Sequence, residues 1–173
     1  MSVLPSALRL RPPAVDDEYE VLAAQRELSE EGFDFMLADD DLTWTDYLTA
    51  LVRTRCGIGI APGQVPATML LAEVDGRIVG RVHVRHELNA PLRAIGGHVG
   101  YAVLPAYRRR GYATEMLRQA IDELNELGVT SVLVTVDDDN AASIRVIESQ
   151  GGVLEGSLAL TEDKRKLRYW IHT

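Results

Sequence analysis

The chain has 173 residues, 46% hydrophobic and 25% charged, with a net charge of −8. That length suits one domain, 1–173, with a core needing no metal or disulfide support, and the acidic balance argues against nucleic acid or a membrane surface as a general partner. Cys56 is the only cysteine, which excludes an intrachain disulfide and a thiolate metal cluster, and no window approaches the ~18 apolar residues of a membrane span, so a cytoplasmic protein is expected.

Ala7 to Arg11 alternates as a short first strand and is closed by Pro12-Pro13. Asp16 or Asp17 caps a helix running to about Leu28, with Tyr19, Leu22 and Ala23, plus Arg26 or Leu28, expected to bound its inner face. Ser29 to Asp41 is acidic and irregular. Thr43 or Thr45 caps a second helix that carries Trp44, Tyr47, Leu48, Leu51 and Val52 and ends before Gly57. Gly57 to Pro66 is a loop. Thr68 to Val74 and Arg77 to Glu87 flank Asp75-Gly76, a strong hairpin signal. A connection from Leu88 to Gly96 leads to a strand from Gly97 to Leu104.

Ala113, Met116, Leu117, Ala120, Ile121, Leu124 and Leu127 then recur at three- and four-residue spacing, which predicts an amphipathic helix C-capped by Gly128. Ser131 to Val136 is a short buried strand. Asp137 to Asn140 caps a further helix that stops at Gly151-Gly152. Val153 to Leu160 and Arg165 to Ile171 form a closing hairpin through Glu162-Asp163. The simplest assembly is α/β: a mixed sheet of about six or seven strands with helices on both faces. Within it, the strand–helix–strand unit from Gly97 to Val136 is expected to be parallel with a right-handed crossover.

The chemistry concentrates between Val99 and Thr114. Arg108, Arg109, Arg110 and Gly111 link a strand to a helix, where first-turn N–H groups stand unpaired with the positive end of the helix dipole behind them. That is an anion site, suited to a phosphate-bearing cofactor. Gly111 allows close backbone approach or a left-handed conformation. Asn140, taken alone, is an N-cap. Asp137 to Asp139 read as partners of a helix dipole, and no metal is expected.

Arg108-Arg109-Arg110-Gly111-Tyr112-Ala113, preceded by Val103-Leu104-Pro105-Ala106-Tyr107, resembles the signature of the GNAT superfamily of acyl-CoA-dependent N-acetyltransferases. Asn140-Ala141-Ala142-Ser143, in a segment ending at Gly151, matches that family's Asn-x-x-Ser spacing. The resemblance covers roughly Thr68 to Gly152. Bacterial proteins described only as predicted acetyltransferases resemble it most, sharing the runs Arg85 to Asn89, Gly96 to His98 and Arg168 to Ile171. It implies a GNAT-type fold splayed between strands four and five, and acetyl-CoA as co-substrate.

The resemblance also implies roles. Main-chain groups of Ala102 and Val103 would hold the pantetheine arm. Those of Arg109, Arg110, Gly111, Tyr112, Ala113 and Thr114 would hold the pyrophosphate, with added charge from Arg108 to Arg110. Asn140 and Ser143 would contact the cofactor from the last helix. Many members carry a Glu on strand four; the matching place is His98, whose ordinary pKa of about 6.5 suits a general base. If the connection from Leu88 to Gly96 closes a symmetric antiparallel pair, His86 faces His98 on the same face as Gly100 and Ala102. A one-residue slip would undo this. The tyrosine that often protonates the leaving thiolate is replaced by Ile147. The acid is then absent, or water serves, or Tyr101 or Tyr112 substitutes.

The expected activity is direct acetyl transfer to an amine of a small molecule or peptide, by a monomer or a homodimer. The first two helices, the Gly57 to Pro66 loop and the closing hairpin are expected to set specificity, while Glu30, Glu31 and Asp39 to Asp41 either attract a cationic amine or, as acidic loops usually are, are only solvated. A catalytically weak acyl-CoA-binding module or sensor is the alternative, prompted by Ile147. A Rossmann-type dinucleotide site is disfavoured because no Gly-x-Gly-x-x-Gly occurs.

Overall fold

The computed structural model describes residues 8–39 and 41–173, so Ala7 of the expected first strand and Asp40 of the acidic segment lie outside the described residues. In chain order the elements are β1 (Arg9–Arg11), α1 (Glu18–Ser29), α2 (Trp44–Arg55), β2 (Ala67–Val74), β3 (Arg77–Arg85), α3 (Ala90–Ala94), β4 (Val99–Val103), α4 (Tyr112–Glu126), β5 (Ser131–Asp137), α5 (Ala141–Ser149), β6 (Val153–Ala159) and β7 (Arg165–His172). Local signals set most boundaries. The Thr43 side chain accepts the Asp46 N–H at the start of α2. Asp75 and Gly76 both take positive φ, as a tight hairpin turn requires.

β1 to β4 form one antiparallel sheet in that order, and β5, β7 and β6 form a second, with β7 in the middle. Side-chain alternation divides the core. Leu70, Ala72 and Val74 of β2 join Val82, Val84 and the Met116, Leu117, Ala120 and Leu124 stripe of α4. Leu71 and Ile78 face the other way, against Val21, Ala24 and Leu28 of α1 and Trp44 and Tyr47 of α2. Helices therefore cover both faces.

Three expectations change. The inner face of α1 is Val21, Ala24 and Leu28, while Tyr19 is 80% exposed and Leu22 37%. Glu20, which accepts the Ile78 N–H at 3.1 Å, fixes the rotation of that helix against the sheet. Secondly, β4 and β5 form no parallel ladder and meet at one antiparallel bridge between Gly97 and Val134. Gly97 has φ +61, and a Cβ there would lie 2.4 Å from the Leu133 carbonyl, so only glycine allows this approach. Past that point β4 takes its ladder partner from β3 alone, and a gap opens towards β5.

Thirdly, the β3–β4 register is one residue away from the symmetric pairing. His83 lies opposite Gly100 and Val84 opposite Val99, which brings Arg85, not His86, opposite His98. The connection between them is not a symmetric loop. Asn89 caps the short α3 within it, and Gly96 and Gly97 bend the chain into β4.

Candidate active site

β4 ends at Val103, and Leu104 leads into a 3-10 turn, Pro105–Tyr107. Arg109 (φ +60) and Gly111 (φ +82) then take left-handed backbone, and α4 begins. Alternating handedness turns successive N–H groups towards a common side. Among the described residues, the N–H groups of residues 109 to 114 have no acceptor, and the first helical donor is Glu115, to the Gly111 carbonyl at 3.2 Å. Six adjacent donors at the positive end of a fifteen-residue helix form an anion cradle.

The three arginines divide their work. Arg108 is paired with Glu31 (2.6 Å) and donates through Nε to the Val103 carbonyl (3.1 Å), tying the end of α1 to the turn. Arg109 lines the cavity in front of the cradle. Arg110 folds back onto the Tyr107 ring and the Ala106 carbonyl, so its side chain does not line that cavity, although its N–H belongs to the cradle.

This cavity, of about 790 Å³, runs from Arg108, Arg109 and residues 111–114 past Val103 and Ala102 to Tyr101, with Asn140 and Ser143 on its other wall. The Ala102 carbonyl lies against Gly80 of β3, and the Leu104 N–H donates to Val79. Main-chain groups alternate along a strand, so those of Tyr101 and Val103 face the unpaired edge. The main-chain role expected of Ala102 thus fits Tyr101 and Val103 better. Asn140 caps α5 by accepting the Ser143 N–H (3.1 Å) while its residue lines the cavity.

At the cavity's inner end, the Tyr101 hydroxyl is buried with no hydrogen-bond partner. Burial pushes its pKa up, and the Ser143 side chain, close by but outside hydrogen-bond geometry, opposes this in part. Ile147 is fully buried in the core behind it. Tyr112, the other substitute considered for the acid, is buried against the α4 core.

The histidines are held elsewhere. His98 N–H donates to the Leu133 carbonyl (2.7 Å), and its Nδ1 accepts the Leu133 N–H (2.9 Å). One residue thereby satisfies both main-chain groups of Leu133 and pins β4 to β5. Burial, with Arg93 and Arg85 nearby, pushes the His98 pKa down to about 4. His86 Nε2 meets the Thr68 hydroxyl at 2.7 Å, and burial lowers its pKa as well. Neither residue lines the cavity, and the slipped register separates them. His83 is half-buried, with its Nδ1 buried and unpartnered and its pKa pushed down to about 3, by burial first and then Arg85 and Arg81.

A second cavity, of about 370 Å³, fills the gap between β4 and β5. It shares Phe33, Tyr101, Asn140 and Ser143 with the first, so Tyr101 stands where the two meet. Arg81, Arg85 and Lys166 bring positive charge to it, and Asp34 and Asp137 bring negative charge. The sequence reading missed Phe33, Arg81 and Arg85. The alternation Arg81-Val82-His83-Val84-Arg85 on one strand was the available signal, because it places three basic side chains on one face. The Gly57 to Pro66 loop instead helps line a separate groove with Asp39, Asp46 and Arg53. Among the described residues no group of three His, Cys, Asp or Glu side chains is placed to hold a metal, and no helix is long and apolar enough to cross a membrane.

Residues 23–151 match the model of the acetyltransferase (GNAT) family, and the chain belongs to that family. It has the fold of the GNAT acetyltransferases. L-2,4-diaminobutyric acid acetyltransferase of Nocardia farcinica is 38% identical over 79 residues, which span 46% of this chain and 40% of that relative. Among solved structures, Mycobacterium smegmatis RimJ in complex with CoA-disulfide superposes with a TM-score of 0.70 at 20% identity, covering 96% of this chain and 82% of that one. Salmonella typhimurium yncA with its cofactor acetyl-CoA gives 0.65 at 17%, covering 96% and 94%. A Streptococcus pneumoniae GNAT acetyltransferase gives 0.67 at 21%, covering 96% and 99%.

Proposed function

We propose that this acetyltransferase moves the acetyl group of acetyl-CoA directly to an amine of a small molecule or peptide, with Tyr101 as the proton donor. The carrying observation is the row of free N–H groups at 109–114, which opens on a cavity ending at an unpaired phenolic hydroxyl. The N–H groups and Arg109 suit the pyrophosphate, and the free edge of β4 at Tyr101 and Val103 suits the amide-bearing pantetheine arm. Asn140 and Ser143 flank the arm from α5. The thioester then sits at Tyr101, between the two cavities.

In that arrangement the amine nitrogen bonds to the thioester carbonyl carbon and the carbon–sulfur bond breaks. The amine gives up its proton, and the departing sulfur takes one. Tyr101 O–H, kept protonated by burial, suits the second transfer. His98 suits the first poorly. With Nδ1 occupied and a pKa near 4, it is neutral but too weakly basic to deprotonate an ammonium. His98 also lines neither cavity, so the amine proton leaves through water in the second cavity to bulk solvent, and positioning supplies much of the rate. Cys56 is exposed and takes no part.

The second reading, an acyl-CoA-binding module, is favoured by Ile147 in the usual tyrosine position and by the lowered His98 pKa. Two measurements decide. Calorimetry with coenzyme A should show binding, and its absence overturns both readings. Thiol release from acetyl-CoA, across an amine panel that includes 2,4-diaminobutyrate, should exceed the amine-free blank for the enzyme; binding without release leaves the module.

A further inference from the structure

The cavity behind Tyr101 is lined by more cationic than anionic side chains. Arg81, Arg85 and Lys166 line it with Asp34 and Asp137. Lys166 is neutralised by Asp137 at 2.6 Å. Asp34 accepts the Leu37 N–H (2.9 Å) and lies close enough to Arg81 to stabilise its charge somewhat. Arg81 itself is 3% exposed and spends its donors on the carbonyls of Phe35 (3.1 Å), Asp34 (3.0 Å) and Gly100 (3.4 Å), beneath the Phe33 ring. Each of its three nitrogens is thus tied to a carbonyl, with one N–H left on each Nη, so it is a fixed charge without a free edge for a carboxylate.

Arg85 differs. Its hydrogen bonds all come from Nη1, to the Gly96 and Gly97 carbonyls at 3.1 Å each, and among the described residues no carboxylate is within ion-pair distance. Nε and Nη2 are therefore uncommitted on a half-buried guanidinium at the cavity wall. Burying a cation without an anion is unfavourable, and a planar guanidinium with two free donors matches a carboxylate. The Nη1 clamp also removes much of the side-chain freedom that binding would otherwise cost.

We propose that Arg85 binds the carboxylate of the acceptor, so that the substrate is an amine that itself carries a carboxylate, an amino acid in the chemical sense. This rests on the reading above that the acceptor enters the second cavity. The arrangement also bears on the missing base. An ammonium is disfavoured beside Arg81 and Arg85, so an acceptor anchored by its carboxylate presents its nitrogen more readily as the neutral amine.

The test compares matched acceptors with acetyl-CoA and the whole protein: α- and ω-amino acids, their carboxamides and their decarboxylated amines, read by thiol release. Carboxylate members should show kcat/KM at least about tenfold above their counterparts. Arg85→Gln should raise KM for the carboxylate member until the preference is gone, and Arg85→Lys should keep part of it. Equal or better reaction of the carboxamides overturns the proposal, as does an R85Q protein that is folded by its melting curve yet loses both members in equal proportion. The wild-type comparison stands even if R85Q does not fold. If no amine releases thiol although coenzyme A binds, it is the transfer reading that fails. Calorimetric titration of the coenzyme A-loaded protein with the same acids and amides then decides: binding of the acids alone supports the carboxylate site, and binding of none or of both overturns it.

Discussion

The turn at 109–114 and the cavity behind Tyr101 adjoin each other but are built on opposite plans. The turn is a contiguous run whose function follows from local backbone: left-handed Arg109 and Gly111, a helix start, and donors without acceptors. The cavity gathers Phe33, Arg81, Arg85, Tyr101 and residues of β5 and α5 from across the chain, and none of them means much alone. A ligand common to many related proteins can be held by local geometry, whereas an acceptor particular to one protein is held by whatever the tertiary fold brings together.

The largest effect should come from breaking the local half. Gly111→Glu places a carboxylate in the cradle and forces a side chain into φ +82, and should weaken coenzyme A binding more than about 100-fold, or ~3 kcal/mol, by calorimetry. Retained affinity in a folded variant would show that the turn is not the phosphate site. Tyr101→Phe sharpens the junction. It should lower kcat about 100-fold with KM for acetyl-CoA nearly unchanged. Its melting temperature should hold or rise, because the hydroxyl it removes is buried and unpaired. An unchanged kcat would leave the thiolate to water.

Next in size is a pH effect in the assembled half. His98 and His83 titrate in the native state near 4 and 3, against about 6.5 in the unfolded chain. Between these values the unfolded state binds more protons, so stability is full above about 6.5 and declines as pH falls towards 4. Denaturant midpoints measured from pH 7 to 4.5 should fall steadily, and a flat profile contradicts the buried neutral imidazoles. The smallest change is Glu31→Gln. It releases Arg108 and removes a negative charge beside the cradle, so coenzyme A should bind about two- to threefold tighter, with little change in melting, as suits an exposed pair. Weaker binding would show that the pair holds the turn in shape.

How far each half could be read from sequence follows the same division. The helix spacing, the Asp75-Gly76 turn, the Thr43 cap and the donor-rich helix start depend on residues within a few positions of one another. The rotation of α1 is not legible locally, because Tyr19 and Leu22 fit the helical period as well as Val21 and Ala24 do, and contacts distant in sequence, such as Glu20 with Ile78, separate the two. His98 drew the role of base from its place on β4. Its actual partner, Leu133, lies on β5 and is not visible from either segment.

By itself the sequence determined most of the elements, their order and a donor-rich helix start at α4, because hydrophobic period, capping and dihedral limits act over a few residues. The tertiary structure decided which side chains share a face. Side chains alternate along a strand, so the one-residue shift between β3 and β4 was enough to place Arg85 opposite His98 and leave His86 at Thr68. Where Gly97 lets β4 touch β5 was decided there too, since that contact pins His98 and opens the gap in which Arg81, Arg85 and Tyr101 meet.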